Sequence, residues 1–173
     1  VQRSSATPPA ARTATTMPVG PNPGNVFGQG KYLPQIAMAH EIPYVATATV
    51  ADLRDLEYKV TKAMSIRGAR YIHIFVPCPL GWGAASHDTI RLARLAHESG
   101  FFPVFEAERG DVTGSSKIRR QVPVEDFLRP QKRFAHLFGQ APDTATIARL
   151  QALADRNIRR YAQLPATTHV GAL

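Results

Sequence analysis

The chain has 173 residues, 44% of them hydrophobic, and a formal net charge of +8 at neutral pH. This is one domain's length with a globular apolar content, which excludes a wholly disordered chain. The charge is compatible with a nucleic acid, an anionic membrane, phosphate groups or an acidic protein as partner. A single cysteine excludes an intrachain disulfide, and no apolar run approaches the roughly 20 residues of a membrane span. We therefore expect a cytoplasmic protein.

The first 30 residues are rich in Pro, Gly, Ser and Thr and have neither a helix nor a strand period. Such a composition fits a loose terminal segment. It also fits a long ordered loop whose hydroxyl and backbone N–H groups would suit a phosphate. The residues alone leave both interpretations open.

Residues 31–107 alternate between helical patterns and short apolar runs at 44–50, 70–76 and 101–107. This alternation predicts an α/β fold with a mostly parallel sheet and helices on both faces. The β-branched and aromatic run at 70–76 is predicted to be the central strand. Pro103 predicts that the third strand lies at an edge or begins its pairing late.

Beyond residue 108 the pattern changes to a basic arm at 117–120 and helical stretches up to residue 161. The last of these has an apolar stripe on one side and arginines on the other. That spacing is typical of a helix packed on its own domain's core. We therefore divide the chain into residues 1–30, 31–108 and 109–173.

Cys78 follows the predicted central strand in the sequence Pro77-Cys78-Pro79. Neither proline can donate to a sheet ladder, so the strand must end there. In open α/β sheets, ligands bind at the carboxyl ends of the strands. A lone buried cysteine is, however, more often a small hydrophobic residue than a ligand. No helical histidine pair, P-loop, GxGxxG or nucleophile elbow is present, so we assign no catalytic residue.

Several segments carry a family resemblance in their chain order: residues 2–8, 15–20, 40–47, 77–82, 123–128 and 131–134. Residues 40–47 read His-Glu-Ile-Pro-Tyr-Val-Ala-Thr, and residues 77–82 read Pro-Cys-Pro-Leu-Gly-Trp. Together they resemble the β subunits of 2-oxoacid:ferredoxin oxidoreductases, especially the pyruvate type. The resemblance covers nearly the whole chain, and its specificity lies in the combination rather than in any one segment.

The resemblance implies a thiamine diphosphate-binding fold of the pyrophosphate-domain type, incomplete here, with a helical C-terminal extension. Residues 1–30 would be an active-site loop segment, 31–108 the C-terminal half of the α/β thiamine-binding domain, and 109–173 a basic arm with the extension. The implied activity is oxidative decarboxylation of a 2-oxoacid, with pyruvate favoured, to acyl-coenzyme A and CO₂. Thiamine diphosphate with Mg²⁺ performs the carbon chemistry, and [4Fe–4S] clusters pass electrons to ferredoxin or flavodoxin.

The resemblance also implies site residues. Gln2, Arg3, Ser4 and Thr7 match the loop beside the thiamine and substrate, and Cys78 matches a ligand of the [4Fe–4S] cluster nearest the thiamine. Such a cluster normally takes four cysteines, whereas this chain has one and also lacks the family's Gly-Asp-Gly motif for Mg²⁺ and diphosphate. We therefore expect part of a β subunit, either truncated or split over two polypeptides. This chain alone would be inactive and would bind neither thiamine diphosphate nor the cluster stably.

The implied partners are the α and other subunits of the complex, with neither nucleic acid nor membrane expected. Two alternatives compete with the enzyme. The basic clusters at 117–120, 132–133 and 156–160 suggest a nucleic-acid-binding module, although the interleaved aromatic platforms of such modules are missing. A non-catalytic assembly fragment would instead dock its basic last helix on an acidic partner. A steep dependence of binding on salt would identify phosphate contacts.

Overall fold

A computed structural model describes residues 10–11 and 32–164, which contain a four-stranded mixed sheet and the helices packed against it. The strands are β1 (Tyr44–Thr49), β2 (Arg70–Phe75), β3 (Phe105–Glu108) and β4 (Asp111–Ser115). The helices are α1 (Leu33–Ala39), α2 (Leu53–Ser65), α3 (Pro79–Trp82), α4 (Thr89–Glu98), α5 (Val124–Leu128) and α6 (Thr144–Arg160). Short 3₁₀ segments cover Ser86–Asp88 and Lys132–Phe138.

The strand order is β2-β1-β3-β4, and the strand directions differ from the prediction. Only β1 and β2 pair in parallel, while β3 is antiparallel to both β1 and β4. The prediction of an α/β fold is confirmed, but that of a mostly parallel sheet is wrong for the described residues. The physical reason lies in the link after α4, residues 99–104: its Pro103 carbonyl and the N–H of Phe105 are both hydrogen-bonded to the Thr47 hydroxyl near the carboxyl end of β1. The chain therefore enters β3 beside the carboxyl end of β1.

β1, and not β2, is the interior strand of the described sheet. All six residues of β1 are buried, whereas β2 has a neighbour on one side only and exposes two of its six residues. The prediction of residues 70–76 as the central strand is therefore wrong within this part of the chain. An apolar run indicates that a strand buries a face, but it does not show how many strands pair with it.

Helices cover both faces of β1, as predicted. Val45 clusters with Ala37 of α1, whereas Tyr44 and Ala46 cluster with Ala63 of α2. Because successive side chains of a strand point to opposite faces, α1 and α2 lie on opposite sides of the sheet.

The largest core cluster joins the end of β2 to the C-terminal helices. The ring of Phe75 lies 4.7 Å from that of Phe102 and 6.2 Å from that of Phe127. Ile147, Leu150 and Ala154 of α6 are buried in the same cluster. The predicted apolar stripe of α6 is thus confirmed as a core-packing face.

The three-part division of the chain stays a prediction, since most of residues 1–30 lies outside the described part. Within residues 32–164, no helix has the length and apolar character needed to cross a membrane.

Gly100 provides a stability test of the packing between the α4–β3 link and α6. Its φ is +75°, and an added Cβ would lie 2.4 Å from Cγ1 of Ile158 and 2.9 Å from the backbone oxygen of Ala154. We expect Gly100→Ala to lower the free energy of unfolding by about 2 kcal/mol or more, from backbone strain and overpacking. Chemical denaturation would measure this change in the free energy of unfolding.

Gly139→Ala is the matched control, because nothing lies within 4 Å of a Cβ added there. Equal stability of the two variants would contradict the close packing of Gly100 on α6.

Candidate functional site

The Pro-Cys-Pro loop begins directly after β2 and turns into α3. Cys78 is the N-cap of α3, and Pro79 occupies the first turn, where its missing N–H costs nothing. The backbone N–H of Trp82 donates to the Cys78 carbonyl at 3.0 Å. The Cys78 side chain is exposed. The backbone is thus fixed while the thiol faces outward, at the sheet edge where the sequence places it.

The sulfur of Cys78 is contacted by the backbone of α3. The N–H of Gly81 donates to Sγ at 3.4 Å. A Cβ added at Gly81 would lie 3.3 Å from that sulfur, so the absence of a side chain permits this approach. N–H groups directed at a cysteine sulfur are among the features that tune iron–sulfur sites.

Trp82 anchors the loop to the buried core. It is 4% exposed, with its ring centroid 5.6 Å from that of Phe75 and its face 3.8 Å from the guanidinium carbon of Arg133. Arg133 is itself only 2% exposed. Burial lowers the pKa of Arg133 to about 9, while the neighbouring Cys78 acts in the opposite direction and raises it. The loop therefore contacts a buried guanidinium through Trp82.

Sequence reasoning missed Arg133 as part of this site. The sequence groups Lys132 and Arg133 as one basic cluster, but the two residues differ in the structure: Lys132 is exposed, whereas Arg133 is buried. The one available signal was the family-like segment 131–134, whose position relative to Cys78 depends on the tertiary fold.

The described residues fit an iron–sulfur cluster in one respect only. Cys78 offers an exposed thiol, but no group of three or more His, Cys, Asp or Glu side chains in this part of the chain could hold a metal ion. Any remaining ligands must come from elsewhere. The candidate cofactor residues Gln2, Arg3, Ser4 and Thr7 lie outside the described residues, so their role stays a prediction.

A second polar cluster lines a cleft of about 180 Å³ between α2 and the β3–β4 hairpin. Lys59 is 3% exposed and donates to Asp55 at 2.7 Å. Glu106 accepts from the Tyr44 hydroxyl at 2.8 Å and from Lys62 at 3.0 Å. These contacts give its carboxylate a structural role in holding α2 against the sheet.

No protein-family model matches the chain, but curated relatives do. Pyruvate synthase subunit PorB of Methanosarcina barkeri is 44% identical over 161 residues, which are 93% of this chain and 54% of that protein. The subunit of the same name in Thermotoga maritima is 36% identical over 168 residues, covering 96% and 51%. The chain resembles pyruvate synthase subunit PorB.

The resemblance deduced from the sequence motifs is thereby confirmed at the level of a PorB-like β subunit. Ketoisovalerate oxidoreductase subunit VorB of Pyrococcus abyssi is also similar, at 40% identity over 139 residues, 79% of this chain and 44% of that protein. This PorB-like chain spans about half the length of the curated relatives it matches.

The exposure of Cys78 predicts its reaction with a thiol reagent. We expect iodoacetamide to add one carbamidomethyl group to the native chain without denaturant, because the sulfur is accessible and there is no second cysteine. Intact-mass spectrometry with peptide mapping would locate the adduct. Cys78→Ser is the control and should gain none. An adduct that forms only in urea would contradict the exposed position of the thiol.

Proposed function

We propose that this chain is part of the β subunit of a thiamine diphosphate-dependent 2-oxoacid oxidoreductase, with pyruvate as the favoured substrate. The proposed reaction converts the 2-oxoacid and coenzyme A to acyl-coenzyme A and CO₂, and it passes the electrons to ferredoxin or flavodoxin. The similarity to pyruvate synthase subunits at 36–44% identity over more than nine-tenths of the chain carries this proposal. VorB, named for ketoisovalerate, supports the broader class of 2-oxoacids.

Cys78 is proposed as one thiolate ligand of a [4Fe–4S] cluster. Three observations support this role: the thiol is exposed, its backbone is fixed at a helix N-cap, and the Gly81 N–H points at the sulfur. The proposal requires the other ligands to lie outside the described residues, on the rest of the β subunit. In the proposed complex, the described residues of this chain hold and orient the thiol.

The thiamine site is proposed to involve Gln2, Arg3, Ser4 and Thr7, together with Mg²⁺ and diphosphate ligands that this sequence lacks. When bound, thiamine diphosphate supplies the carbanion chemistry, while the protein positions it. The α and other subunits complete the site, and the isolated chain is proposed to be inactive without them. The complex is proposed to be cytoplasmic. The pyrophosphate-domain fold belongs to this proposal as well.

The test is Cys78→Ala in the assembled complex, with iron content, retained thiamine diphosphate and pyruvate-dependent viologen reduction measured together. We expect loss of one cluster's worth of iron and a drop in reduction of at least about 100-fold, with thiamine diphosphate still bound, because electrons lose their first acceptor. Replacing pyruvate by 2-oxoisovalerate in the wild-type assay tests the substrate.

Ser86→Ala in the following 3₁₀ segment is the matched control, since this side chain is exposed near the same loop. It should retain iron and activity. Unchanged iron and reduction in Cys78→Ala would remove the proposed ligand role.

A further inference from the structure

We propose that Arg133 is a positioning residue that clamps the Cys78 loop through Trp82. The purpose of this clamp rests on the proposed function, in which the sulfur binds a cluster. The contacts themselves lie within this chain and can be tested separately.

The clamp has two steps. The guanidinium carbon of Arg133 lies 3.8 Å from the ring of Trp82, a cation–π contact between two buried side chains. Trp82 is the last residue of α3, and its N–H donates to the carbonyl of Cys78, the N-cap residue of that helix. Because α3 has only one turn, fixing its last residue also fixes its N-cap.

Arg133 is held in turn by the C-terminal helices. Its Nε donates to Oε1 of Gln131 at 2.8 Å. Gln131 is fully buried, and its amide nitrogen donates to the carbonyl of Phe127 in α5. The orientation of the guanidinium is therefore set by residues that lie about fifty positions after the loop it contacts.

A second contact joins the same two segments. The N–H of Lys132 donates to the carbonyl of Gly83 at 3.3 Å. Gly83 has a φ of +62°, and a Cβ there would lie 2.7 Å from Cβ of Lys132. The turn after α3 and the backbone before Arg133 are thus in direct contact, which leaves little freedom for the stacked pair to slide.

Arginine suits this role. A guanidinium offers a planar face for stacking and keeps its charge when buried, whereas a buried ammonium readily loses its proton. Arg129 provides a contrast: its guanidinium stacks on Phe138 at 4.3 Å, but its side chain is 59% exposed and pairs with Glu125.

The experiment compares Arg133→Met with Arg129→Met in the assembled complex. Methionine keeps much of the volume and tolerates burial, so Arg133→Met removes the charge and the planar face with little disturbance of packing. Hydrogen exchange with mass spectrometry follows the peptide covering residues 78–84, and β1 serves as an internal reference.

In Arg133→Met we expect exchange in residues 78–84 to become about tenfold faster, while β1 is unchanged. Arg129→Met should leave exchange in both segments unchanged.

Unchanged exchange in the loop would overturn the clamp, and an equal rise in β1 would show a general stabilising role and overturn the positioning assignment. Failure of the proposed function is distinguishable: Cys78→Ala would then keep its iron, while the exchange data would still decide the clamp.

Discussion

The described fold depends on the hydrogen bonds of one buried threonine. The hydroxyl of Thr47 donates to the carbonyl of Pro103 at 2.8 Å and accepts from the N–H of Phe105 at 2.9 Å. Its backbone carbonyl accepts from Nζ of Lys59 at 2.9 Å. One residue of β1 therefore fixes both the entry of the chain into β3 and the position of α2. Because all these groups are out of water, each needs its partner, and the direction of β3 follows from this requirement.

The cysteine loop depends on an aromatic cluster at the end of β2. Phe75 ends β2 and packs at once against Trp82, Phe102 and Phe127, so the end of one strand is joined to α3, to the link before β3 and to α5. This cluster leaves the backbone around Cys78 with little choice of conformation. The thiol itself stays exposed. Rigidity beneath a loop and accessibility at its tip are together what a preorganised ligand position needs.

Local patterns in the sequence predict the elements well and their arrangement less well. The apolar spacing identifies α6, and Pro103 delays the start of β3 to Phe105 as expected, because these effects act within a few residues. The direction of β3 and the edge position of β2 come from contacts between distant segments. The site divides in the same way. Cys78 could be found from its loop sequence. Arg133 contacts this loop only in the tertiary fold, which no local pattern encodes.

Trp82 has a further consequence, because it is the only tryptophan in the chain. Its indole is held between a benzyl ring and a guanidinium, with the candidate ligand four residues before it in sequence. Fluorescence of the purified chain therefore originates largely from this one position. Emission wavelength and acrylamide quenching would report the state of the loop without any attached dye. The protein carries its own optical probe beside the residue whose chemistry matters most.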